Sequence, residues 1–372
     1  MSLKVGSLFS GCGGFDLGFE KAGFDIAWAN DIEPNACETY RKNIGEIIEG
    51  DVNSIDPYEL HSIDVLSAGF PCQPFSNAGS RKGTSDSRGQ LYQSTFKFIE
   101  AHNPKVVVYE NVRGFLSFKD ENGGKLIDNI VKELEARSYN CSYRLVNFSH
   151  FGVPQNRIRV ILIAVRNDLG DVSSKLFPEI TTDVDLSIEA ALSGLDDSYP
   201  NQNELMKLNP QALHYGAMIP EGGSWKSLPY EVLPERWKKI RDDMAKYHYP
   251  NFFRRYSRND VMGTITAAFK PENAAVWHPV KGRIFSVREI ARFQTFPDDF
   301  VFYGKNVKSK YQQIGNAVPP LFSQKLGERI KMFLESLDIQ SLDYKKPTSC
   351  SFNVNKPMTS KMNQELLSTF SI

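Results

Sequence analysis

The sequence has few of the features that mark metal-binding, secreted and membrane proteins. Its five cysteines among 372 residues are scattered, odd in number and free of CxxC or cysteine–histidine spacing. That pattern disfavours both a structural zinc site and a disulfide framework. No window approaches the roughly 18 uninterrupted apolar residues of a membrane span, and the first residues lack a secretory pattern. We therefore expect a cytoplasmic protein with no metal ion and no membrane partner.

Net charge is also absent, because 44 basic residues balance 44 acidic ones. The distribution is uneven, with a net charge of −8 over residues 167–221 and of +4 over residues 222–260. A solvated face over a small core is the more frequent structure for a basic run alone. A basic module beside an enzyme domain can also hold a polyanion. Aromatic residues are interleaved with these bases: Trp225, Tyr230, Trp237, Tyr247, Tyr249, Phe252, Phe253 and Tyr256.

Hydrophobic patterning over the first 166 residues alternates apolar runs with amphipathic stretches. Apolar strands separated by amphipathic helices predict an α/β fold, with a parallel sheet covered by helices on both faces. The alternation fades over 167–284, and helical patterning resumes at Ser286. The predicted strands are 4–10, 24–30, 47–50, 64–70, 105–110 and 159–165, and the predicted helices are 15–22, 31–43, 91–99, 126–134 and 319–337.

Small and acidic residues follow the first three predicted strands. Glycines in the turn SGCGG (10–14) let the backbone approach a ligand closely, and a helix N-terminus there offers free N–H groups. The spacing is not GxGxxG, which disfavours a nicotinamide-dependent oxidoreductase. Asp31 ends the second strand, where a carboxylate can accept ribose hydroxyls, and Asp51 adds a further acceptor. Together they predict a nucleoside-bearing ligand at the carboxyl edge of the sheet.

The segment GFPCQPFS (69–76) places Cys72 between two prolines, just past a strand end. Two prolines limit the backbone around one thiol, and a glycine-rich basic stretch follows, which together predict a nucleophile under a lid loop. The thiol needs nearby positive charge or a helix N-terminus to act as a thiolate. Glu110 follows three valines at another strand end and requires a partner there. Arg157 and Arg159 lie two residues apart on an extended segment.

In this order, the motifs resemble the DNA (cytosine-5)-methyltransferases that use S-adenosylmethionine. The resemblance covers roughly residues 1–335 and implies a Rossmann-like methyltransferase sheet with a smaller target-recognition domain. It further implies a monomer that acts on double-stranded DNA, with a cognate restriction endonuclease as an indirect partner at the same site. The matching blocks are FSGCGGFDLGFEKAGF (9–24), GFPCQPFS (69–76), ENV (110–112), QNRIR (155–159), REIARFQTFPDDF (288–300) and IGNAVPP (314–320).

Four domain ranges follow from the resemblance. Residues 1–169 are expected to form the catalytic and cofactor-binding domain, and residues 170–284 the target-recognition domain. Residues 285–337 would return to complete the catalytic domain, and 338–372 would be a C-terminal extension.

The resemblance also implies catalytic roles. Cys72 would add to carbon 6 of a cytosine flipped out of the duplex, at an unstacking cost of about a few kcal/mol. Glu110 would hold the N3 and amino edge of the ring, and Arg159 would contact O2 with Arg157 in support.

The cofactor-binding residues are likewise implied by the resemblance. Asp31 occupies a ribose position where many relatives carry Glu, and Ile32 a position where they often carry an aromatic residue. The implied set is Phe9, Gly11, Cys12, Gly13, Gly14, Asp31, Ile32, Asp51, Val52, Pro71, Leu91, Asn316 and Ala317.

DNA contacts are expected from the lid loop and the target-recognition segment, where side chains read bases in the major groove or hold phosphates. Which arginines of the second segment touch base edges is left open. The expected set is Gln73, Ser76, Arg81, Lys82, Arg88, Arg254, Arg255, Arg258 and Thr264.

Two other functions compete with DNA methylation. A non-catalytic DNA-binding relative is disfavoured because Cys72, Glu110 and Arg159 are all intact. An RNA cytosine methyltransferase acting on transfer RNA would use the same nucleophile, and it stays open.

Overall fold

The computed structural model describes residues 2–71, 91–119, 123–244, 252–268, 270–271 and 276–343, with side chains described up to 337. Cys72 and the rest of the expected lid loop, 73–90, lie outside the described residues. Residues Met1–Phe333 form one compact unit and Leu334–Ile372 a second. In the described ranges, no helix is both long and apolar enough to cross a membrane.

A seven-stranded sheet forms the centre of the first unit, in the spatial order β3-β2-β1-β4-β5-β8-β6. Its strands are β1 (Lys4–Leu8), β2 (Asp25–Asp31), β3 (Ile48–Glu49), β4 (Val65–Ala68), β5 (Val106–Val112), β6 (Tyr139–Asn147) and β8 (Ile158–Arg166). Strands β7 (Gln155–Asn156) and β9 (Met262–Gly263) pair in parallel as a second, small sheet.

Helices flank the large sheet, which confirms the predicted α/β class. α2 starts three residues later than predicted because Glu33 caps it, accepting the Ala36 N–H at 2.9 Å, and Pro34 occupies its first turn. The helices are α1 (Gly14–Lys21), α2 (Pro34–Asn43), α3 (Leu91–His102), α4 (Leu126–Ala136), α5 (Ile188–Leu192), α6 (Pro210–Met218), α7 (Glu235–Asp242), α8 (Val287–Phe293), α9 (Val307–Asn316) and α10 (Pro320–Asp343).

The expectation of a parallel sheet is wrong at one edge. β8 runs antiparallel to both β5 and β6, whereas β1 to β5 are parallel. Strand β6 was not predicted at all. Its sequence YNCSYRLVN has no continuous apolar run like those of the other strands, but apolar and polar residues alternate from Tyr139 to Leu145. That alternation is the period-two signal of a half-buried strand, and the prediction missed it.

Apolar burial is strongest in the middle of the sheet, where Val106, Val107 and Val108 of β5 have no exposed surface. Burying each such side chain contributes roughly 1.5–3 kcal/mol. This buried centre holds the carboxyl ends of β1, β2, β4 and β5 side by side. The candidate cofactor-binding and catalytic side chains lie at or just after those ends.

Candidate active site at the carboxyl edge of the sheet

The turn between β1 and α1 has an unusual backbone. Phe9 has a φ of +58°, which is strained for a bulky side chain. Gly13 has a φ of +89°, and a Cβ there would lie 2.1 Å from Cδ1 of Ile44. Only glycine therefore fits at position 13, and the turn is held in one conformation.

Asp31 closes this turn from the neighbouring strand. Its Oδ2 accepts the Gly11 N–H at 2.8 Å, and its Oδ1 accepts the Glu33 N–H at 2.8 Å. Burial raises the pKa of this carboxyl, opposed by the two backbone N–H donors. Each carboxylate oxygen has two lone pairs, so Asp31 retains acceptor capacity for two hydroxyl groups.

The next loop also lies beside Asp31, because the Gly50 N–H donates to the Asp31 carbonyl at 3.0 Å. Asp51 caps a short turn by accepting the Asn53 N–H at 2.9 Å and stays exposed, while Val52 is buried. Ile32 is 67% exposed, which leaves an apolar surface next to the Asp31 carboxylate. Acidic and apolar groups therefore lie side by side here, as a nucleoside requires.

Helix α3, which starts at half-buried Leu91, is fastened to the same loop. Ser94 Oγ donates to Asn53 Oδ1 at 2.6 Å, and Lys97 Nζ donates to the Asn53 carbonyl at 3.1 Å. These hydrogen bonds fix the first turns of α3, and with them Leu91, against the turn that contains Asp51 and Val52. Leu91 is one of the residues expected to contact the cofactor.

The segment after α9 returns to the start of α1. A Cβ on Gly14 would lie 2.4 Å from the Val318 carbonyl oxygen and 3.2 Å from Cβ of Ala317. Glycine is therefore required for this close approach, and the exposed Asn316 is brought to the same region. Two segments about 300 residues apart in the chain, around Gly14 and around Ala317, thus meet at the turn.

The thiol of Cys12 points away from this surface. It is 2% exposed, its Sγ lies 3.8 Å from the Gln313 carbonyl, and burial raises its pKa to about 12. Only the backbone of Cys12 is placed to contact a ligand, and its thiol cannot serve as a nucleophile.

Glu110 and Arg159 form a buried ion pair at the ends of β5 and β8. Arg159 Nε lies 2.9 Å from Glu110 Oε1, with the side chains 12% and 11% exposed. Burial lowers the pKa of Arg159, and the Glu110 charge opposes that shift. A carboxylate and a guanidinium at one point supply both an acceptor and a donor for a polar ring edge.

The chain segment that leads to Cys72 lies beside this pair. A Cβ on Gly69 would lie 3.7 Å from Glu110 Oε2, and Asn111 Nδ2 donates to the Phe70 carbonyl at 3.3 Å. Pro71 is the last described residue before Cys72. Four other expected site residues besides Cys72 and Gln73 also lie outside the described part: Ser76, Arg81, Lys82 and Arg88.

Arg157 does not contact Glu110 but bridges two backbone segments. It is 1% exposed and donates to the Ile265 carbonyl at 2.7 Å and to the Gly315 carbonyl at 2.9 Å. Burial moves its pKa well below the ordinary value. Arg157 therefore joins the segment after β9 to the end of α9.

Two glutamines that the sequence reasoning did not single out reinforce the same junction. Gln155 Oε1 accepts the Ile265 N–H at 3.0 Å, and its Nε2 donates to Gln294 Oε1 at 3.0 Å. Gln294 in turn donates to the Ile314 carbonyl at 2.7 Å. Gln155 lies in the block QNRIR and Gln294 in the block REIARFQTFPDDF. Their place in these motifs, rather than their residue type, could have indicated that they are important.

Thr264 lies next to this junction and is exposed. Its Oγ1 donates to the Asn156 carbonyl at 2.8 Å, which adds to the parallel pairing of β7 and β9. Arg254 is partly exposed, lies 4.9 Å over the Tyr256 ring and approaches Asp260 at 3.6 Å. Both residues are accessible to a large polyanion.

The expected DNA contact by Arg255 is wrong. Arg255 is 5% exposed, and its guanidinium donates to the carbonyls of His278 at 2.8 Å and Gly216 at 2.9 Å. Arg258 is partly exposed but is held by both carboxylate oxygens of Glu221 at 3.0 Å. Sequence cannot separate these neighbouring arginines, because only tertiary packing decides which one turns inward.

Most described aromatic residues of the basic segment are core residues. Trp225, Trp237, Phe252 and Phe253 are all at most 7% exposed and pack in one cluster. Their rings therefore cannot stack on nucleic acid bases in this conformation. The more conservative of the two interpretations, a basic face over a small core, applies to them.

Comparisons with known proteins identify the family. The family model for C-5 cytosine-specific DNA methylases matches residues 3–332. Type II methyltransferase M.NgoFVII of Neisseria gonorrhoeae is 38% identical, covering 85% of this chain and 83% of that protein. Type II methyltransferase M.Eco47II of Escherichia coli is 37% identical, covering 89% and 79% respectively.

Among solved structures, the S. pombe Dnmt2 methyltransferase is similar in fold. It has a TM-score of 0.60 and 20% identity, over 90% of this chain and 99% of that chain. With the match over residues 3–332 and the two Type II relatives, the chain belongs to the C-5 cytosine-specific DNA methylase family and is a DNA (cytosine-5)-methyltransferase.

Proposed function

We propose that this enzyme methylates carbon 5 of a cytosine within a specific short sequence of double-stranded DNA, with S-adenosylmethionine as methyl donor. The observation that carries the proposal is the Glu110–Arg159 pair beside Gly69 and Phe70, because it sets a polar ring-edge site next to the described residues that lead to Cys72 in the chain. The Asp31 turn lies at the same edge of the sheet.

The residues at the turn fit S-adenosylmethionine. Asp31 has acceptor capacity for both ribose hydroxyls, and exposed Ile32 offers an apolar surface to a purine. Asp51 is exposed and can accept from an exocyclic amino group. When bound, S-adenosylmethionine supplies an electrophilic methyl group on a sulfonium.

The chain's own residues carry the rest of the reaction. With the target base flipped out of the duplex, the thiolate of Cys72 forms a bond to carbon 6 of cytosine. Glu110 holds the N3 and amino edge and passes a proton to N3 as the thiolate adds, and Arg159 contacts O2. The ring then accepts the electron pair and carbon 5 becomes nucleophilic, and the N3 proton returns to Glu110 when the thiolate leaves. After methylation, loss of the carbon 5 proton to solvent restores the ring and expels the Cys72 thiolate.

We further propose that the enzyme acts as a monomer and that a restriction endonuclease shares its recognition site. The relatives M.NgoFVII and M.Eco47II, both Type II methyltransferases, support the pairing with an endonuclease. Of the described side chains in the expected DNA-binding set, Thr264 is exposed and Arg254 and Arg258 are partly exposed, although Arg258 is held by Glu221.

The decisive experiment is bisulfite sequencing of plasmid DNA from cells that express the protein, beside cells that express Cys72→Ser. Cytosines protected in one short motif, and unprotected with the variant, are the expected result. Protection by Cys72→Ser equal to that by the wild type would overturn the nucleophile assignment. Transfer RNA from the same cells is sequenced in parallel, and protection confined to RNA would replace DNA by RNA as the substrate.

A further inference from the structure

A buried acidic side chain lies behind the turn between β1 and α1 (residues 9–13) and has no part in the proposed chemistry. Asp16, in the first turn of α1, has no exposed surface. Ser7 Oγ donates to its Oδ1 at 2.6 Å, and the Tyr40 hydroxyl donates to its Oδ2 at 2.9 Å. Within the described residues, no lysine or arginine neutralises it. Burying a carboxylate without a cation costs free energy. Two hydroxyl donors do not by themselves explain why an acidic residue occupies this position.

The hydroxyl groups form a directed chain from Asp16 to the turn. An ionised carboxylate only accepts hydrogen bonds, so Ser7 must point its single hydrogen at Asp16. The lone pairs of Ser7 Oγ can then accept the hydroxyl of Ser10 at 2.9 Å, and the Ser7 carbonyl is a second acceptor for it at 3.2 Å. Ser10 is half-buried, and its hydrogen is directed inward, which leaves its own oxygen lone pairs as acceptors at the turn.

The second hydrogen bond of Asp16, from the Tyr40 hydroxyl, connects it to a ring that packs against the turn. Tyr40, in α2, is 1% exposed, and its ring lies directly against the turn, since a Cβ on Gly13 would approach a Tyr40 ring carbon to 2.9 Å. The hydroxyl bond to Asp16 fixes the position of that ring. Asp16 is therefore connected to the turn at two places, through the hydroxyl of Ser7 and through the hydroxyl and ring of Tyr40.

We propose that Asp16 is a positioning residue for the cofactor, whose charge, relayed through Ser7, makes Ser10 Oγ an acceptor for a cationic amino group of the ligand. The inference rests on the proposed function, because S-adenosylmethionine carries an ammonium group on its amino acid part. Adenosine shares the nucleoside but lacks that group. The two parts of the ligand can therefore be tested separately.

The test is calorimetric binding of S-adenosylhomocysteine, which keeps the amino acid part, and of adenosine. Asp16→Asn keeps the side-chain shape but can donate to Ser7 and reverse the relay. We expect its dissociation constant for S-adenosylhomocysteine to rise about tenfold, the size of one net hydrogen bond, and its affinity for adenosine to stay within about twofold. Ser10→Ala should give the same selective loss.

Ser7→Ala and Ser67→Ala form a matched pair. Ser67 in β4 is the cross-strand partner of Ser7 in β1, and both are nearly fully buried. Ser67 Oγ has no hydrogen-bond partner in the described part of the chain. Ser7→Ala should weaken S-adenosylhomocysteine binding, and Ser67→Ala should change neither ligand.

Two results overturn the inference while the proposed function stands. The first is wild-type affinity of both Asp16→Asn and Ser10→Ala for S-adenosylhomocysteine. The second is an equal loss for both ligands, since a general distortion of the site would then explain the effect. Wild-type protein that binds neither ligand and methylates no DNA would instead contradict the proposed function, and the inference with it. If Asp16→Asn does not fold, half-exposed Ser10 carries the same test.

Discussion

The Arg159 guanidinium lies 2.9 Å from Glu110 Oε1 where two antiparallel strands end. Both groups are nearly buried, so neither can lose its partner without leaving a charge in a poorly solvated place. The pair forms beside the segment that leads to the proposed nucleophile. A base edge that enters the site would meet a charged acceptor and a charged donor already held in position.

Glu110→Gln should lower kcat for DNA methylation by at least about 100-fold, because an amide cannot assist protonation of the ring as a carboxyl group can. Cofactor affinity, measured by calorimetry, should remain close to that of the wild type. Glu133→Gln is the control. It removes the same charge from a surface ion pair with Arg137, where the loss should change neither stability nor turnover appreciably. Near-normal turnover of the Glu110 variant would contradict its proposed role.

Asp31→Ala should weaken S-adenosylhomocysteine binding by about 1.5–3 kcal/mol, because bonds from ribose hydroxyls to a charged acceptor are lost. The variant also leaves the Gly11 and Glu33 N–H groups unpaired, so its thermal unfolding has to be measured alongside. Asp56→Ala removes an exposed carboxylate that caps a comparable short turn. An unchanged dissociation constant for the Asp31 variant would exclude the ribose contact.

Arg254 and Arg255 are neighbours with opposite predicted effects. Arg255→Ala should destabilise the fold by roughly 3 kcal/mol or more, because several backbone carbonyls lose a buried charged donor. Arg254→Ala should leave unfolding nearly unchanged, weaken DNA binding and reduce the slope of log K against log salt by about 1. Urea unfolding and salt-dependent DNA binding separate the two, and a stability loss confined to Arg254→Ala would reverse the assignment.

The stability difference between Asp16→Asn and the wild type should depend on pH. Burial raises the pKa of Asp16 to about 6 from 3.8, so the folded protein binds this proton more tightly than the unfolded chain. Wild-type stability from this group is therefore lost as pH rises from about 4 to 6, by up to about 3 kcal/mol, and the variant is spared that loss. Urea unfolding of both proteins at pH 4.5 and 7.5 measures the difference.

Other acidic groups that influence Asp16 are present in both proteins. Asp31 contributes a repulsive charge, and Glu20 titrates nearby with a pKa raised to about 7 by burial. Because the Asp16 charge also raises the pKa of Glu20, the comparison between variant and wild type measures the titration of Asp16 together with its effect on Glu20. A difference in unfolding free energy that is constant between the two pH values would mean that this carboxyl does not titrate as its burial implies.

Local patterns predicted the site better than the sheet edges. The glycine turn and Asp31 follow strands whose apolar runs are easy to recognise, and the structure brings them within hydrogen-bonding distance. β6 escaped prediction because its apolar residues alternate with polar ones instead of forming a continuous run, a period-two pattern that is weaker over so few residues. The reversed direction of β8 has no local signature either, since direction depends on how the connecting chain returns.

Sequence alone determined the α/β class, the order of the motifs and the residue types available for chemistry, because periodicity and glycine or proline placement act over a few neighbouring residues. Tertiary structure decided which like residues have unlike roles. Arg159 contacts Glu110 while Arg157 joins two distant backbone segments, and Arg255 is buried while Arg254 is partly exposed. Those choices depend on burial and on partners 23 to 158 residues away, so no local pattern contains them.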